Sequence, residues 1–264
     1  MGIAVGMAML VGVVAAWGVA VPWLTALHGQ AGPAADIAKA VATNEVRFIG
    51  AGAIGAAAVW TLGKLVAPIM AGLASAAATA RKVRAGEGED LPRTERDIPM
   101  KWVLIVSALC LAPLALLTWV FLSGTPLQAH AGPLILAGLA YIVLAGFLVA
   151  AVCGYMAGLI GSSNSPVSGV AILAVLGAAV LLAMLARAQN WVGTDEALVA
   201  FALFVTSVLL AVAVIANDNL QDLKTGQLVD ATPWRQQVAL IIGVIAGAVV
   251  IPPILLLLNG AYGF

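Results

Sequence analysis

Two polar stretches interrupt an otherwise apolar chain, and they hold most of the residue types able to bind or move a solute. The first runs from Gly154 to Gly169 as GYMAGLIGSSNSPVSG. Within it Gly161, Ser162, Ser163, Asn164, Ser165, Pro166 and Gly169 form a Gly-rich, Pro-containing break between two apolar runs. Unwound backbone at membrane depth is tolerated only inside protein or beside a watery cavity, where freed carbonyls and helix N-termini can coordinate ions or solute. Pro166 suits the start of the next helix. A tight turn at the membrane surface with no ligand is the plainer alternative. The second stretch, Asn217 to Gly226, reads NDNLQDLKTG. Helical spacing would set Asp218, Asp222 and Thr225 near one face. Lys224 could neutralise a nearby carboxylate. A carboxylate raised in pKa by desolvation could carry a proton, whereas one paired with Lys224 could latch a gate. The plainer alternative here is a solvated helix end capped by Gly226.

The other ionisable and sulfur-bearing residues are fewer. Lys64 lies inside an apolar run, where a charge is costly and often functional; a side chain snorkelling to the interface would also account for it. Glu45 and Arg47 flank the mouth of the same run and read more simply as a surface pair. Cys110 and Cys153 each sit within an apolar run as small packing residues, and no CxxC or Cys/His spacing points to a metal or a disulfide. His28 and His130 fall beside Gly and Pro in predicted loops.

The elements that must position these residues follow from composition. Hydrophobic residues make up 63% of the chain and charged residues 9%, against about 25% charged in soluble domains. Mean hydropathy is +1.09. Seven apolar segments stand out, near Ile3–Leu27, Val46–Ala80, Trp102–Leu122, Leu134–Ile160, Val167–Ala186, Ala197–Ala216 and Val238–Leu258. Each is long enough to cross the hydrocarbon core as a helix. They are continuous Ala/Leu/Val/Gly runs and lack the alternation of a barrel strand. The chain is therefore predicted to be an all-α membrane protein, a polytopic bundle of about seven transmembrane helices forming a single domain over residues 1–264. The apolar N-terminus lacks the charged start of a signal peptide and reads as a retained helix.

Lys and Arg set the orientation. Arg81, Lys82, Arg84, Arg93, Arg96 and Lys101 share one hydrophilic loop, so residues 81–101 are predicted to be a cytoplasmic charged loop. Alternation then puts the Gly161–Pro166 turn and the polar Asn217–Gln237 segment on the same side, with the chain starting inside and ending outside. Glycines four apart at Gly2/Gly6, Gly154/Gly158 and Gly243/Gly247 would let helices approach closely in lipid. The zero formal net charge gives no field for a nucleic-acid partner. There is no HExxH, GxSxG or GxxxxGK[ST] motif, and no Lys in the last helix to hold retinal. An intramembrane enzyme or a seven-helix receptor are the competing classes; a transporter fits the Gly-rich break and the opposed termini better.

Several stretches resemble the oligopeptide transporter (OPT) family, which includes the yellow stripe-like metal-chelate transporters. The resemblance begins at VRFIGAGAI, residues 46–54, and Trp60-Thr61-Leu62. It is most pronounced from Cys153 to Gly169, resumes in NDNLQDLKTG and Ala231-Thr232-Pro233-Trp234, and ends with Leu258 to Phe264. It implies a secondary transporter, coupled to protons, for peptides, peptide derivatives or metal chelates. The implied partners are that small-molecule substrate, protons and the lipid bilayer, in a multi-pass protein of the plasma (inner) membrane. No cofactor or bound metal is expected. Family members are longer, with roughly twice as many helices. The resemblance therefore implies a partial copy lacking the remainder of the transporter, whose transport would be poor on its own.

Overall fold

The computed structural model of the chain describes residues 3–28, 32–84, 92–161 and 165–263. All regular elements among them are helices. They are Ile3–Val13 (α1), Val21–His28 (α2), Ala34–Val41 (α3), Arg47–Arg84 (α4), Met100–Leu122 (α5), Ala131–Ile160 (α6), Val167–Ala188 (α7), Asp195–Leu228 (α8) and Pro233–Tyr262 (α9). A π-helical segment, Val14–Ala20, joins α1 to α2, and another, Ala42–Val46, joins α3 to α4. The described residues contain seven helical stretches long and apolar enough to cross a membrane. Helices satisfy every backbone group internally, which is why continuous apolar runs fold this way in lipid.

Contacts divide the chain into two compact units, Met1–Trp60 and Thr61–Phe264. In the first, Val21 and Val41 are buried. The expected start of the second apolar helix near Val46 lies further back. Pro33 precedes α3, Asp36 sits in its first turn and Lys39 in its last, charges that complement the helix dipole. Glu45 thus belongs to a π-helical turn inside a longer helix. His28 is the last residue of α2 and not part of a loop.

The second unit is built around α6, α7 and α8. On α7 the buried positions Val170, Ala174, Ala178, Leu182 and Ala186 recur every fourth residue, one face of the helix. On α8 they include Leu198, Phe201, Ala202, Val205, Leu209, Ala213 and Asn217. One cluster joins Ala178, Leu182 and Ala186 to Leu198, Phe201 and Ala202. A second joins Val170 and Ala174 to Leu209, Ala213, Val149 and Cys153. The Tyr141 hydroxyl on α6 donates to the Ala174 carbonyl on α7 at 2.7 Å. Phe121 of α5 stacks on Phe204 of α8 with ring centroids 4.4 Å apart.

The glycines that bring α6 against α8 are not the predicted pairs. A Cβ at Gly138 would meet Phe201 at 3.2 Å, one at Gly146 would meet Val212 at 3.9 Å, and one at Gly154 would meet Leu220 at 3.1 Å. These three are eight residues apart, a little over two turns, and so stay on one face. Gly6, Gly158 and Gly243 have open space there, and Gly247 meets only Ile251 of its own helix. Gly2 lies outside the described residues; of the other paired glycines, Gly154 alone serves close packing between helices.

The polar segment after Ala216 also differs from expectation. Helix α8 runs on through Asn217–Gly226 to Leu228, leaving only Val229–Thr232 outside helix before α9. Asn and Asp cost a helix less than about 1 kcal/mol each, too little to end it. Gly226 is not the cap: it is buried inside α8. The cap is Val229, followed by Asp230 at φ 56°, with the Ala231 amide donating to the Gly226 carbonyl at 2.9 Å. That is a Schellman-type end made with an aspartate. Gly226 is small because the Gln236 side chain of α9 lies where its Cβ would be.

Candidate functional site

The starts of α5 and α9 are tied together. The Trp234 amide donates to the Arg96 carbonyl at 3.1 Å. Gln237 accepts from the Ile98 amide at 3.0 Å and donates to Asp97 Oδ1 at 2.9 Å. Gln236 Nε2 donates to the Asp222 carbonyl at 3.3 Å. Because α6 and α8 run parallel, the C-terminal half of α6 lies at this same end. One end of the unit therefore collects the α6–α7 break, the last turns of α8 and the residues leading into α5.

At the break, α6 stops at Gly161. Its amide closes the last turn onto the Ala157 carbonyl at 3.0 Å. Its φ of 86° and ψ of 160° lie in a region open essentially to glycine alone. Ser162, Ser163 and Asn164 fall outside the described residues. Ser165 reappears with its hydroxyl 3.5 Å from the Cys153 carbonyl, to which it donates. Cys153 precedes the end of α6 by about two turns, roughly 10 Å along the axis. The chain thus turns back alongside α6, and α7 begins well inside the level at which α6 ends. Pro166 is its cap residue, accepting from the Val170 amide at 3.0 Å. Pro166 and Ser165 are half-buried and Gly169 is buried.

Level with this start by helix register is a residue that the pattern of charge does not mark. Asn217 is 6% exposed, and its Oδ1 is buried without a hydrogen-bond partner. Its signal in the sequence is its place four residues beyond Ala213 and eight beyond Leu209, on the packing face of α8. The antiparallel register that sets Val170 and Ala174 against Leu209 and Ala213 continues by one turn to bring Asn217 level with Pro166. The parallel register that sets Gly154 against Leu220 puts Asn217 near the level of Cys153.

The charged residues of the second stretch are placed differently. Asp218 and Asp222 share one face of α8, as their spacing predicts, and both are exposed. Lys224 is exposed too, and donates to Gln227 Oε1 at 2.8 Å. The expected latch with Asp222 does not match this helix, because residues two apart point to nearly opposite sides. Thr225 donates to the Gln221 carbonyl at 3.1 Å. Lys64 is an exposed residue of α4, seventeen residues past its start at Arg47. Cys153 is buried at the break and Cys110 is exposed on α5. His130 stacks on Trp191 at 4.3 Å at the opposite end of the unit.

A groove of about 590 Å³ between α7 and α8 also lies at that opposite end, lined in part by Arg187, Asn190, Trp191 and Asp195. None of the candidate transport or coupling residues lines it. Among the described residues no group of three or more His, Cys, Asp or Glu is placed to hold a metal ion.

Seven spanning helices, a small-residue seam and a broken helix pair with polar groups at one end define a multi-pass integral membrane protein. The family model described as OPT oligopeptide transporter protein matches residues 1–264. The chain belongs to that family. A Haemophilus influenzae protein carrying the name "Putative oligopeptide transporter" is 41% identical over 269 residues, an alignment covering all of this chain and 42% of that protein. The chain thus spans about two fifths of the length of this curated relative. No solved structure matches the chain significantly.

Proposed function

We propose that the chain forms part of a secondary transporter that moves oligopeptides, or peptide-like metal chelates, across the plasma (inner) membrane in symport with protons. The observation that carries this reading is the sunken start of α7. The Ser165–Cys153 bond brings the start of α7 back alongside α6, at the level of a buried amide. Irregular backbone within a spanning bundle is the usual setting of a transport site. In this reading Gly161, Pro166 and Gly169 set the backbone of the path, and Ser162, Ser163, Asn164 and Ser165 supply polar groups to it. Asp218 and Asp222, exposed at the adjoining end of α8, are the proton-coupling candidates, with Lys64 as a further charge inside a span. The 81–101 loop is cytoplasmic.

The test is uptake of radiolabelled tri-alanine by the full protein in liposomes under an inward proton gradient. Uptake that collapses with a protonophore is expected. Gly161→Leu must hold a glycine-only conformation at a cost of about 1–3 kcal/mol, so it should reduce uptake severely while membrane insertion is retained. Normal uptake by Gly161→Leu and by Asn164→Ala together would leave the break as a simple turn.

A further inference from the structure

We infer that Asn217 recognises a peptide group of the solute, with its side-chain oxygen accepting a peptide N–H beside the first turn of α7. The inference rests on the transporter reading above and adds a residue and a chemical group to it. Two independent features converge. One is the Asn217 Oδ1 acceptor, buried on a residue only 6% exposed and lacking a partner. A buried polar atom left unpaired costs stability, about as much as a hydrogen bond contributes or more. Such atoms persist where something other than stability retains them. The other is the start of α7. The first amides of a helix, here those of Val167, Ser168 and Gly169, have no carbonyl four residues back inside the helix. The Val170 amide, by contrast, is taken by Pro166.

The register of α8 against α7 brings these features to one level, next to the Ser165 hydroxyl and Cys153. An acceptor and a row of donors brought to one level complement a group that itself presents one N–H and one C=O. A peptide bond is such a group. The carboxylates on this helix point elsewhere, since Asp218 and Asp222 are exposed while Asn217 is buried. The site is therefore uncharged on its α8 side, suited to an amide rather than to an ammonium. Oδ1 is closed off from water in this conformation. The solute enters when α7 and α8 separate at this end.

The experiment uses the full protein in liposomes and two probes, tri-alanine and its analogue with both peptide N–H groups replaced by ester oxygens. Loss of one hydrogen bond to a buried acceptor corresponds to about a tenfold change in affinity. Wild type should show a KM about tenfold lower for the amide than for the ester. Asn217→Ala should bring the ratio close to one, chiefly by raising the KM for the amide. Asn217→Leu, similar in shape, serves the same test should the alanine variant insert poorly. Asn217→Leu, which keeps the packed volume and removes no partner of Oδ1, should not unfold at a lower temperature, whereas the alanine variant loses some packing; a role in packing alone would leave the KM ratio unchanged in both. A wild-type ratio near one, or a preference retained in a folded Asn217 variant, overturns the inference and leaves the transporter reading standing. Wild type that takes up neither probe overturns both.

Discussion

Gly177 offers a quantitative check on how α6 and α7 are held together. A Cβ added there would lie 2.6 Å from the Tyr141 hydroxyl oxygen and 3.4 Å from Cζ of the same ring. The first distance is well inside contact and the second is ordinary. Gly177→Ala must therefore push the hydroxyl away from the Ala174 carbonyl, to which it now donates at 2.7 Å. That carbonyl keeps its helical partner, so the cost falls on the displaced donor, about 1–3 kcal/mol. Replacing glycine inside a helix returns about 1 kcal/mol through propensity, leaving a net loss of up to about 2 kcal/mol. In a Tyr141→Phe background the clashing oxygen is gone. There Gly177→Ala should be neutral or stabilising by up to about 1 kcal/mol. The double-mutant cycle, read by reversible unfolding in mixed micelles, should give a coupling of about 1–3 kcal/mol between the two positions. A coupling below about 0.5 kcal/mol would refute this packing of α6 on α7.

Two further outcomes follow from the placement of charge. In intact cells, an impermeant thiol reagent added outside should label Ser123→Cys and leave Glu89→Cys unmodified, in a background where Cys110 and Cys153 are replaced; labelling of Glu89→Cys would reverse the orientation. On α8, a cycle of Asp222→Asn with Lys224→Ala should show a coupling within about 0.5 kcal/mol of zero, because the two side chains leave the helix on nearly opposite sides. A larger coupling would restore the latch.

The helices are legible in the sequence because lipid makes their signal simple. Continuous apolar runs of spanning length have few alternatives, and five of the seven predicted segments lie within helices whose ends extend by up to a dozen residues. The N-terminal segment Ile3–Leu27 coincides with its span, interrupted by a π-helical stretch that hydropathy does not register. The polar tail of α8 departs from expectation for a definite reason: polarity marks where a helix leaves hydrocarbon, not where it ends. Glu45 departs for the converse reason, since charge within a helix at the membrane surface looks like the edge of a loop. The break from Gly161 to Pro166 is visible as composition. Its return alongside α6 is not, because it depends on one long-range bond, from Ser165 to the Cys153 carbonyl. The glycine seam at Gly138, Gly146 and Gly154 escapes a reading by four-residue pairs because its spacing is eight.

The way α8 packs explains why its buried amide sits where it does. Between helices in lipid, association draws on close van der Waals contact rather than on escape from water. The face of α8 that meets α6 and α7 is accordingly a single stripe, Val205, Leu209 and Ala213 at four-residue steps. The fourth position of that stripe falls on Asn217. A leucine there would continue the packing and leave no unpaired acceptor. The sequence instead places its first polar side chain after the apolar run on the packed face, while Asp218 beside it turns outward. At the same level α7 begins, because Ser165 holds the chain against Cys153 and not at the end of α6. The packing stripe and the sunken helix start are thus two consequences of one register. Sliding α8 by a single turn would remove the amide from the start of α7 and bring either Ala213 or Gln221 to that level. The coincidence of an unpaired acceptor with the first turn of α7 is therefore a property of the whole three-helix packing, and variants that shift that packing at Gly138, Gly146 or Gly154 should act on the site from a distance.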